Sequence, residues 1–216
     1  MKATRLSLAL ALAPILIAAL TQPAANAELA ARVHGLCPVE DRDWSAGAAV
    51  ELQARHWNSE NMGVACSLGF GTMTAVDELI EENDAFGSLS VAVGGETALV
   101  PVGLSALLRG GLGPDIALVA EAGLRYVFID SAVIANVTAE DAHEIAYVSE
   151  EIQIDDTVLA VIGFTLTAGL AEGVTLEAGV GYQVDMRKPH EWFLGEDVGP
   201  TSFQAASGHF GLAWAF

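Results

Sequence analysis

The last fifteen residues constrain the fold of this chain more than any other segment. They run SFQAASGHFGLAWAF, from Ser202 to Phe216. Alternate positions counted back from the final aromatic are bulky and apolar, and these are Phe210, Leu212, Trp214 and Phe216. A period of two is typical of a β-strand. A strand with a bulky face for lipid and a small face for a narrow lumen indicates a transmembrane β-barrel.

The N-terminus carries the features of an export signal. Lys2 and Arg5 precede an apolar stretch, and Ala25-Asn26-Ala27 supplies small residues at the spacing of a cleavage site. We therefore predict a secretory signal peptide over residues 1–27. A retained signal anchor is the alternative, although the apolar run is short for a span of about 20 residues.

The charge of the chain excludes a generic nucleic-acid binder. Removal of the signal peptide leaves 7 basic and 28 acidic residues, a net charge of 7 − 28 = −21. Nucleic-acid binding needs a basic face to neutralise phosphates. The hydrophobic fraction is 52%, yet no later apolar run has the length of a membrane helix. A large soluble core or a lipid-embedded barrel accounts for such a composition.

Seven further segments alternate with the same period as the last one. They are Ala46–Trp57, Met62–Met73, Phe86–Val93, Thr97–Arg109, Asp115–Asp130, Thr157–Gly169 and Val174–Arg187. We interpret Gly94-Gly95 as the hairpin turn between the third and fourth of them. The sequence thus predicts an all-β, eight-stranded antiparallel transmembrane barrel over residues 45–216, preceded by a periplasmic segment over residues 28–44.

An even strand number places both chain ends on one side of the membrane. The short turns at Gly110–Pro114 and Ala171-Glu172 share the periplasmic side with the C-terminus, and the long loops at Ser131–Gln153 and Lys188–Pro200 lie outside. A short helix is expected over Ala139–Ser149 within the first of these loops. The acidic connection Asp77–Asp84 is an exception, because this strand count makes it periplasmic despite its length.

The inward faces of these strands are mostly small or weakly polar, with few charges of both signs. A soluble barrel would instead carry many charges on its exposed face. We expect the inward charges to form a lumen charge network of Glu51, Arg55, Arg109, Glu121, Arg125, Glu177, Asp185 and Arg187. Eight strands enclose an interior just wide enough for side chains. We therefore favour a plug of salt bridges, and a gated or ion-selective pore is the alternative.

Three other features have two interpretations each. Ser207 and His209 are expected about 7 Å apart on one strand face. They form either a hydrogen-bonded pair in the lumen or the centre of an outer-membrane lipid-modifying enzyme. Cys66 either pairs with Cys37 or is a small residue on the lipid face. The acidic pairs of the outer loop are either solvated or a calcium site. We favour the lumen pair, the lipid-facing cysteine and the solvated loop, and expect no catalytic residue, cofactor or metal.

The stretch Leu99–Ser131 resembles the central hairpin of the small OmpA-like/opacity-like outer-membrane barrels. Its marks are an apolar-Pro-apolar opening and a Gly-x-x-Tyr near the end of the following strand. Glu177–Met186 repeats that strand type, and the terminal GLAWAF is similar to the C-terminal assembly signal of the family. The resemblance implies a bacterial outer-membrane location, no shared catalytic residues, and insertion by the barrel-assembly machinery, which reads Phe210, Leu212, Trp214 and Phe216.

We therefore predict a monomeric barrel with a closed, charged interior. Its role is structural or surface-interactive, and the acidic loops at Ser131–Gln153 and Lys188–Pro200 form the contact surface, since exposed loops on a rigid scaffold commonly carry binding. A small-solute or ion channel is the first alternative, and a lipid-modifying enzyme that uses Ser207 and His209 is the second.

Overall fold

The computed structural model describes residues 26–39, 44–76, 78–83, 87–141 and 145–216. Nearly all of the expected signal peptide lies outside these ranges. The regular structure within them is entirely β-strand, and none of it is a helix that could cross a membrane. The strands are β1 (Ala27–Pro38), β2 (Trp44–Trp57), β3 (Met62–Ala75), β4 (Glu78–Asn83), β5 (Gly87–Gly111), β6 (Ile116–Asp141), β7 (Ile145–Ile154), β8 (Thr157–Ala171), β9 (Val174–Asp185), β10 (His190–Phe193), β11 (Glu196–Pro200) and β12 (Ala205–Ala215).

Eight of these strands close into an antiparallel barrel, which confirms the predicted fold class. Their order around the wall is β1-β2-β3-β5-β6-β8-β9-β12. The wall closes where β12 pairs with β1, from Glu28 opposite Ala215 to Pro38 opposite Ala205. Closure leaves no free strand edge in the wall, so each wall strand pairs with a neighbour on both sides. The ladder between β3 and β5 is interrupted between Leu68 and Gly71, beside Pro101, which has no N–H to donate.

The first barrel strand is β1, which corrects the expectation of a periplasmic segment over residues 28–44. β1 pairs with β12 on one side and with β2 on the other. Its inward positions are Ala30, Arg32, His34 and Leu36, all buried. Between them lie the small or apolar residues Ala31, Val33 and Gly35. The alternation is hard to detect in sequence because both faces include alanine and both lack a run of large residues.

The predicted third and fourth strands are a single strand, β5. Gly94 and Gly95 do not turn the chain, since they pair with Ile134 and Val133 of β6 in an uninterrupted ladder. They lie where the strand on the other side of β5 changes from β3 to β4. β3 pairs with β5 between Leu108 and Glu96, and β4 pairs with β5 between Val93 and Ser88. The number of wall strands is still eight, as predicted. β1 adds a strand that was not predicted, and the merging of two predicted strands into β5 removes one.

This connectivity sorts the connections by length. The end of the barrel that holds Ala27 and Ala215, the terminal end, has the short turns after β2, β5 and β8, at residues 58–61, 112–115 and 172–173. The opposite, distal end has all the long connections. Among these is the acidic connection Asp77–Asp84, so the exception expected from sequence disappears. Residues 131–153 and 188–200 also lie at the distal end.

Most of the expected outer loops are ordered strands. The upper parts of β5 and β6 extend beyond the barrel wall and pair with each other over residues 87–96 and 132–141. Together with β4, β7, β10 and β11 they form a six-stranded sheet, here called the distal sheet. The helix expected over Ala139–Ser149 is wrong, because β6 and β7 form a hairpin there in which Thr138 pairs with Tyr147.

A carboxylate marks the boundary between the wall and the distal sheet. β7 and β8 both pair with β6 and are separated only by Asp155 and Asp156. Asp156 accepts a hydrogen bond of 3.0 Å from the backbone N–H of Ile129 and one of 3.2 Å from the Tyr126 hydroxyl. The side chain therefore satisfies a backbone donor where the ladder is interrupted.

Candidate functional site

The two faces of the barrel wall differ as the sequence predicts. Outward side chains are large and apolar, and several expose more than half of their surface, for example Leu104 at 67%, Val180 at 62% and Phe210 at 58%. Inward side chains are buried, and Glu177 is completely so. A continuous apolar exterior of this extent requires lipid around it.

The centre of the interior is a cluster of ion pairs, built around Glu177 of β9. Its Oε2 accepts a hydrogen bond of 2.9 Å from Arg32 Nε, and its two oxygens accept 2.5 and 2.8 Å bonds from the guanidinium of Arg55. Arg32 and Arg55 come from the adjacent strands β1 and β2. One carboxylate therefore joins β9 to two strands that it does not pair with.

Glu121 of β6 is a second acceptor in the cluster. Arg32 Nη1 lies 3.2 Å from its Oε2, while Gln53 Nε2 and the Ser105 hydroxyl donate to its Oε1 at 3.1 and 2.8 Å. The side-chain oxygen of Gln53 accepts a 2.6 Å bond from Arg55 Nε. This glutamine thus links the two carboxylate centres.

Glu51 of β2 is the third acceptor. Its Oε2 lies 2.7 Å from Arg125 Nη2 and 3.8 Å from His34 Nε2. The ring of His34 lies against that of His209, with centroids 5.2 Å apart. His209 Nε2 in turn is 3.0 Å from the hydroxyl oxygen of Thr165.

The cluster is electrically balanced. It contains three arginines and three glutamates: Arg32, Arg55, Arg125, Glu51, Glu121 and Glu177. Removing one charge from water costs several kcal/mol unless a close partner and further hydrogen bonds compensate it. Here each carboxylate has at least one guanidinium within 3.2 Å. The interior therefore holds its charges as a neutral, interlinked unit.

Apolar clusters lie beyond the charges at both ends of the barrel. At the terminal end, Trp57, Ala65, Leu107 and Val119 are in contact and buried. At the distal end, a larger cluster includes Met73, Val127 and Phe203. The interior thus has three layers along its axis: apolar, ionic and apolar.

The structure brings together five of the eight residues expected in the lumen network: Glu51, Arg55, Glu121, Arg125 and Glu177. Arg109 lies at the terminal end, where its guanidinium stacks 3.7 Å from the Trp57 ring centroid and forms an ion pair with Glu28. Glu28 Oε2 is also 3.5 Å from Arg55 Nη1, so Arg109 is joined to the edge of the cluster through Glu28. Asp185 lies near the distal end and accepts bonds from the Ser202 hydroxyl and the Phe203 N–H.

The expectation for Arg187 is wrong. β9 ends at Asp185, so Arg187 follows the strand and is exposed. Its backbone carbonyl, not its side chain, has a defined role and accepts a 2.7 Å bond from the Thr157 hydroxyl. The sequence-based assignment extended the period of two past the end of the wall.

Two central residues, Arg32 and His34, were missed by sequence reasoning. They belong to β1, which was not identified as a strand. A charge count of the sequence gave no signal, because the eight predicted charges are four acids and four arginines. The need for a further cation appears only once the structure brings five of them together, three glutamates and two arginines. A buried unbalanced carboxylate predicts a further cation.

Ser207 and His209 both face the interior from β12. The described hydrogen bond of His209 goes to Thr165 rather than to Ser207. Ser207 lines a small cavity of about 40 Å³ between the ionic cluster and the distal apolar cluster, next to His34, Arg125 and Gln183. Acyl chains of the bilayer would meet the opposite, outer face of the wall.

The remaining candidate groups are placed as follows. Cys37 and Cys66 are both free, and Cys66 points outward from β3. In the part of the chain that the structure describes, no group of three His, Cys, Asp or Glu side chains is arranged to hold a metal ion. The outward face of β12 holds the bulky residues expected there: Phe210, Leu212 and Trp214.

Comparison with known proteins identifies the fold. No protein-family model and no curated protein matches the sequence. Among solved structures, the outer-membrane protein OprG from Pseudomonas aeruginosa has a TM-score of 0.55 at 11% identity, over 89% of this chain and 96% of that chain. Neisserial surface protein A has a TM-score of 0.47 at 11% identity, over 89% and 98%. The N-terminal barrel domain of OprF from Pseudomonas aeruginosa has a TM-score of 0.42 at 14% identity, over 90% and 100%.

The similarity to OprG covers 89% of this chain, and the apolar exterior independently requires a lipid environment. Closed barrels with an apolar outer band occur in bacterial outer membranes. The chain therefore has the fold of the small eight-stranded outer-membrane β-barrels and is embedded in that membrane.

Proposed function

We propose that this protein is a monomeric scaffold with a closed lumen that displays its distal sheet at the cell surface. In outer-membrane barrels, short turns face the periplasm and long connections face outward. The terminal end, with its three short turns, is then periplasmic. The distal sheet is accordingly extracellular.

The layered interior carries the proposal of a closed lumen. An ion that crossed the barrel would have to pass the apolar cluster around Trp57 and Leu107, then the paired charges around Glu177, then the apolar cluster around Phe203. Apolar layers offer no ligands to replace water, so each one opposes the passage of an ion. The charges between them are already engaged with each other.

Conductance in planar bilayers tests this closure. The folded protein should give no steady current, while a general porin in the same lipid should conduct and show that the assay is sensitive. A steady open conductance from the folded protein would contradict closure and support the small-solute channel instead.

The surface role is supported by where the charges lie. Residues 39–43, 76–96, 130–156 and 185–200, which form the distal connections, contain 21 of the 28 acidic residues and 3 of the 9 basic residues. Few of these acids take part in the ion pairs of the interior. A strongly anionic sheet on a rigid barrel is suited to contact with a cationic surface or partner.

Deletion of the sheet tests this role. One variant replaces residues 75–95 by an Asn-Gly turn between Thr74 and Glu96, replaces residues 136–149 by an Asn-Gly turn between Ala135 and Glu150, and also removes β10 and β11. Cells that display it should adhere less to polylysine-coated glass than cells with the intact protein, at equal surface amounts. A matched variant changes only the terminal-end turn at residues 58–61 and should adhere normally. Unchanged adhesion and unchanged envelope integrity after the distal deletion would refute the role.

We further propose that the barrel-assembly machinery recognises the outward residues of β12, namely Phe210, Leu212 and Trp214, together with Phe216. The Phe216→Ala variant should yield less folded barrel in cells. The same variant, refolded from urea into detergent, should be as stable as the original protein. Equal yields in cells would count against recognition through Phe216.

A further inference from the structure

The distal sheet has two edges that differ in their protection. One edge is β11, where Gly199 has a φ of +134° and Pro200 follows it. The pairing of β11 with β10 also shifts register between Glu191 and Trp192. Proline, an irregular backbone and a register shift are the usual means of preventing further strand pairing.

The other edge is β4, and it has no such protection. β4 pairs with β5 in unbroken register, from Glu78 opposite Val93 to Asn83 opposite Ser88. It is the last strand of the sheet on this side, and within the described ranges no strand pairs with its outer edge. Its sequence, ELIEEN, contains neither proline, glycine nor lysine. A row of backbone donors and acceptors is thus open to another strand.

Side chains next to this edge provide apolar contact. Leu79 of β4 exposes 62% of its surface. On the neighbouring strand β5, Leu89 exposes 39%. Strand addition gains affinity from the main-chain bonds and specificity from alternate side chains. An added strand with apolar residues at alternate positions would contact Leu79.

The charge of β4 selects among possible occupants. Pairing of β4 with the same strand of a second copy would place two strands with three glutamates each side by side, and like charges on neighbouring strands repel each other. The surrounding connections add to this repulsion, since they carry 21 acidic and 3 basic residues. A strand with basic residues would be attracted by the same field.

We propose that the open edge of β4 binds an extended peptide segment with a basic and an apolar residue two positions apart on one face, by addition of a strand to the distal sheet. This inference rests on the proposed surface role and specifies the partner chemistry for it. The peptide backbone pairs with β4. On the exposed face that Leu79 and Glu81 share, an apolar side chain of the peptide contacts Leu79 and a basic one lies opposite Glu81.

A designed peptide tests the inference on the full chain in detergent micelles. The probe is a lysine–valine peptide of about eight residues, in which lysine and valine take turns at every second position and threonine lies between them, so that one face carries both residue types. Controls are the same peptide with glutamate for lysine, and one with a central proline. The probe should bind more weakly as salt rises, and hydrogen exchange should slow in β4 more than in β11. Both control peptides should fail to bind.

Three variants locate the binding. Glu81→Lys should weaken binding about fivefold to tenfold, as expected when an attractive cross-strand pair becomes repulsive. Glu196→Lys makes the same charge change on β11 and should alter binding less than about twofold if the edge, rather than the general field, determines affinity. Glu81→Pro should abolish binding by blocking strand addition.

The outcomes that overturn the inference are specific. Slowed exchange outside β4, no binding of the lysine–valine peptide, or equal weakening by Glu81→Lys and Glu196→Lys would each reject edge binding. If adhesion to polylysine still depends on the distal sheet in that case, the surface role stands and only the strand-addition inference fails. If deletion of the sheet has no effect on adhesion, the surface role fails by itself.

Discussion

At the scale of residues, Glu177 organises the interior. It is completely buried and accepts three hydrogen bonds from Arg32 and Arg55. Charge-assisted bonds of this kind are shorter and stronger than neutral ones. Since the acceptor lies on β9 and the donors on β1 and β2, these bonds cross the lumen as well as filling it.

Replacement of this carboxylate tests its importance. The Glu177→Gln variant keeps the shape but removes the anion shared by two buried guanidinium groups, which then retain longer ion pairs, such as Arg32 with Glu121 at 3.2 Å and Arg55 with Glu28 at 3.5 Å. Breaking a buried ion pair by removing one partner costs about 3–5 kcal/mol. We expect a loss of that size in the free energy of unfolding, measured by urea titration in lipid vesicles. Glu172→Gln, at an exposed turn, is the matched control, and a similar small change in both variants would contradict a central role for Glu177.

The sequence identified most of the charged cluster but not all of it. Glu51 and Arg55, or Glu121 and Arg125, are four positions apart on one strand face, so alternation alone places them inward. Their partners could not be assigned, because cross-barrel contacts depend on the relative register of strands. Arg32 was missed for a different reason: the alternation around it is weak. Gln53, although assigned inward, gave no sign that it would link two carboxylates.

At the scale of elements, the seam between β1 and β12 determines whether the barrel closes. Residues directly opposite in an antiparallel pair have Cα atoms about 4.5–5.5 Å apart, within the range that a disulfide requires. Val33 and Phe210 are such a pair, and both side chains are exposed on the outer face.

Cross-linking tests this register. In a variant without Cys37 and Cys66, the pair Val33→Cys with Phe210→Cys should form a disulfide on mild oxidation, seen as a shift on a non-reducing gel. The offset pair Val33→Cys with Leu212→Cys should form much less of it. Efficient cross-linking of the offset pair alone would show a slipped register.

The hairpin of β10 and β11 should depend on pH. The hydrogen bond from the His190 ring lowers the pKa of the Asp197 carboxyl below its ordinary value, and the Gly199 N–H also donates to this carboxylate. A depressed carboxyl pKa stabilises the folded hairpin above the ordinary aspartate pKa of about 3.9. That contribution is lost as pH falls through the lower, folded value.

Hydrogen exchange measures this effect. Corrected for intrinsic rates, the amides of β10 and β11 should lose protection as pH falls below about 4. In the Asp197→Asn variant, protection should be lower at neutral pH and should change little with pH. The same acid-induced loss in both proteins would assign the effect to other groups.

The glycine pair at residues 94–95 shows why element boundaries were misplaced. Two consecutive glycines between alternating segments usually indicate a hairpin. Here Gly95 has a φ of +139°, yet the strand continues. The backbone irregularity coincides with the change of neighbour from β3 to β4. The glycine pair in the sequence indicates an irregular backbone at this point. Whether the chain turns back there depends on the strands with which it pairs.

At the scale of the whole molecule, an apolar band and an anionic sheet are separated along the barrel axis. Closed barrels are stabilised by a complete circuit of backbone hydrogen bonds, which detergents disrupt slowly.

The period of two in the sequence predicted the alternating faces, the number of wall strands and the closed architecture. It did not predict the distal sheet, since a strand outside the membrane has no lipid face to make its alternation obvious.

Electrophoresis tests the architecture as a whole. The protein folded in detergent should migrate differently in SDS before and after boiling, because the intact barrel resists unfolding by SDS until it is heated. A variant that lacks residues 27–38 should show only the unfolded position, since β12 and β2 then have no strand between them. A soluble, compact protein in the absence of any detergent would contradict the membrane barrel.

The seam has a consequence for the order of the chain. The Phe216 N–H donates to the carbonyl of Ala27 across it, at 3.0 Å, so the ends of the first and last barrel strands are adjacent. A short linker between them would convert the seam into an ordinary hairpin. A circularly permuted protein, opened at the turn between β8 and β9, would then retain every strand pairing and begin with β9.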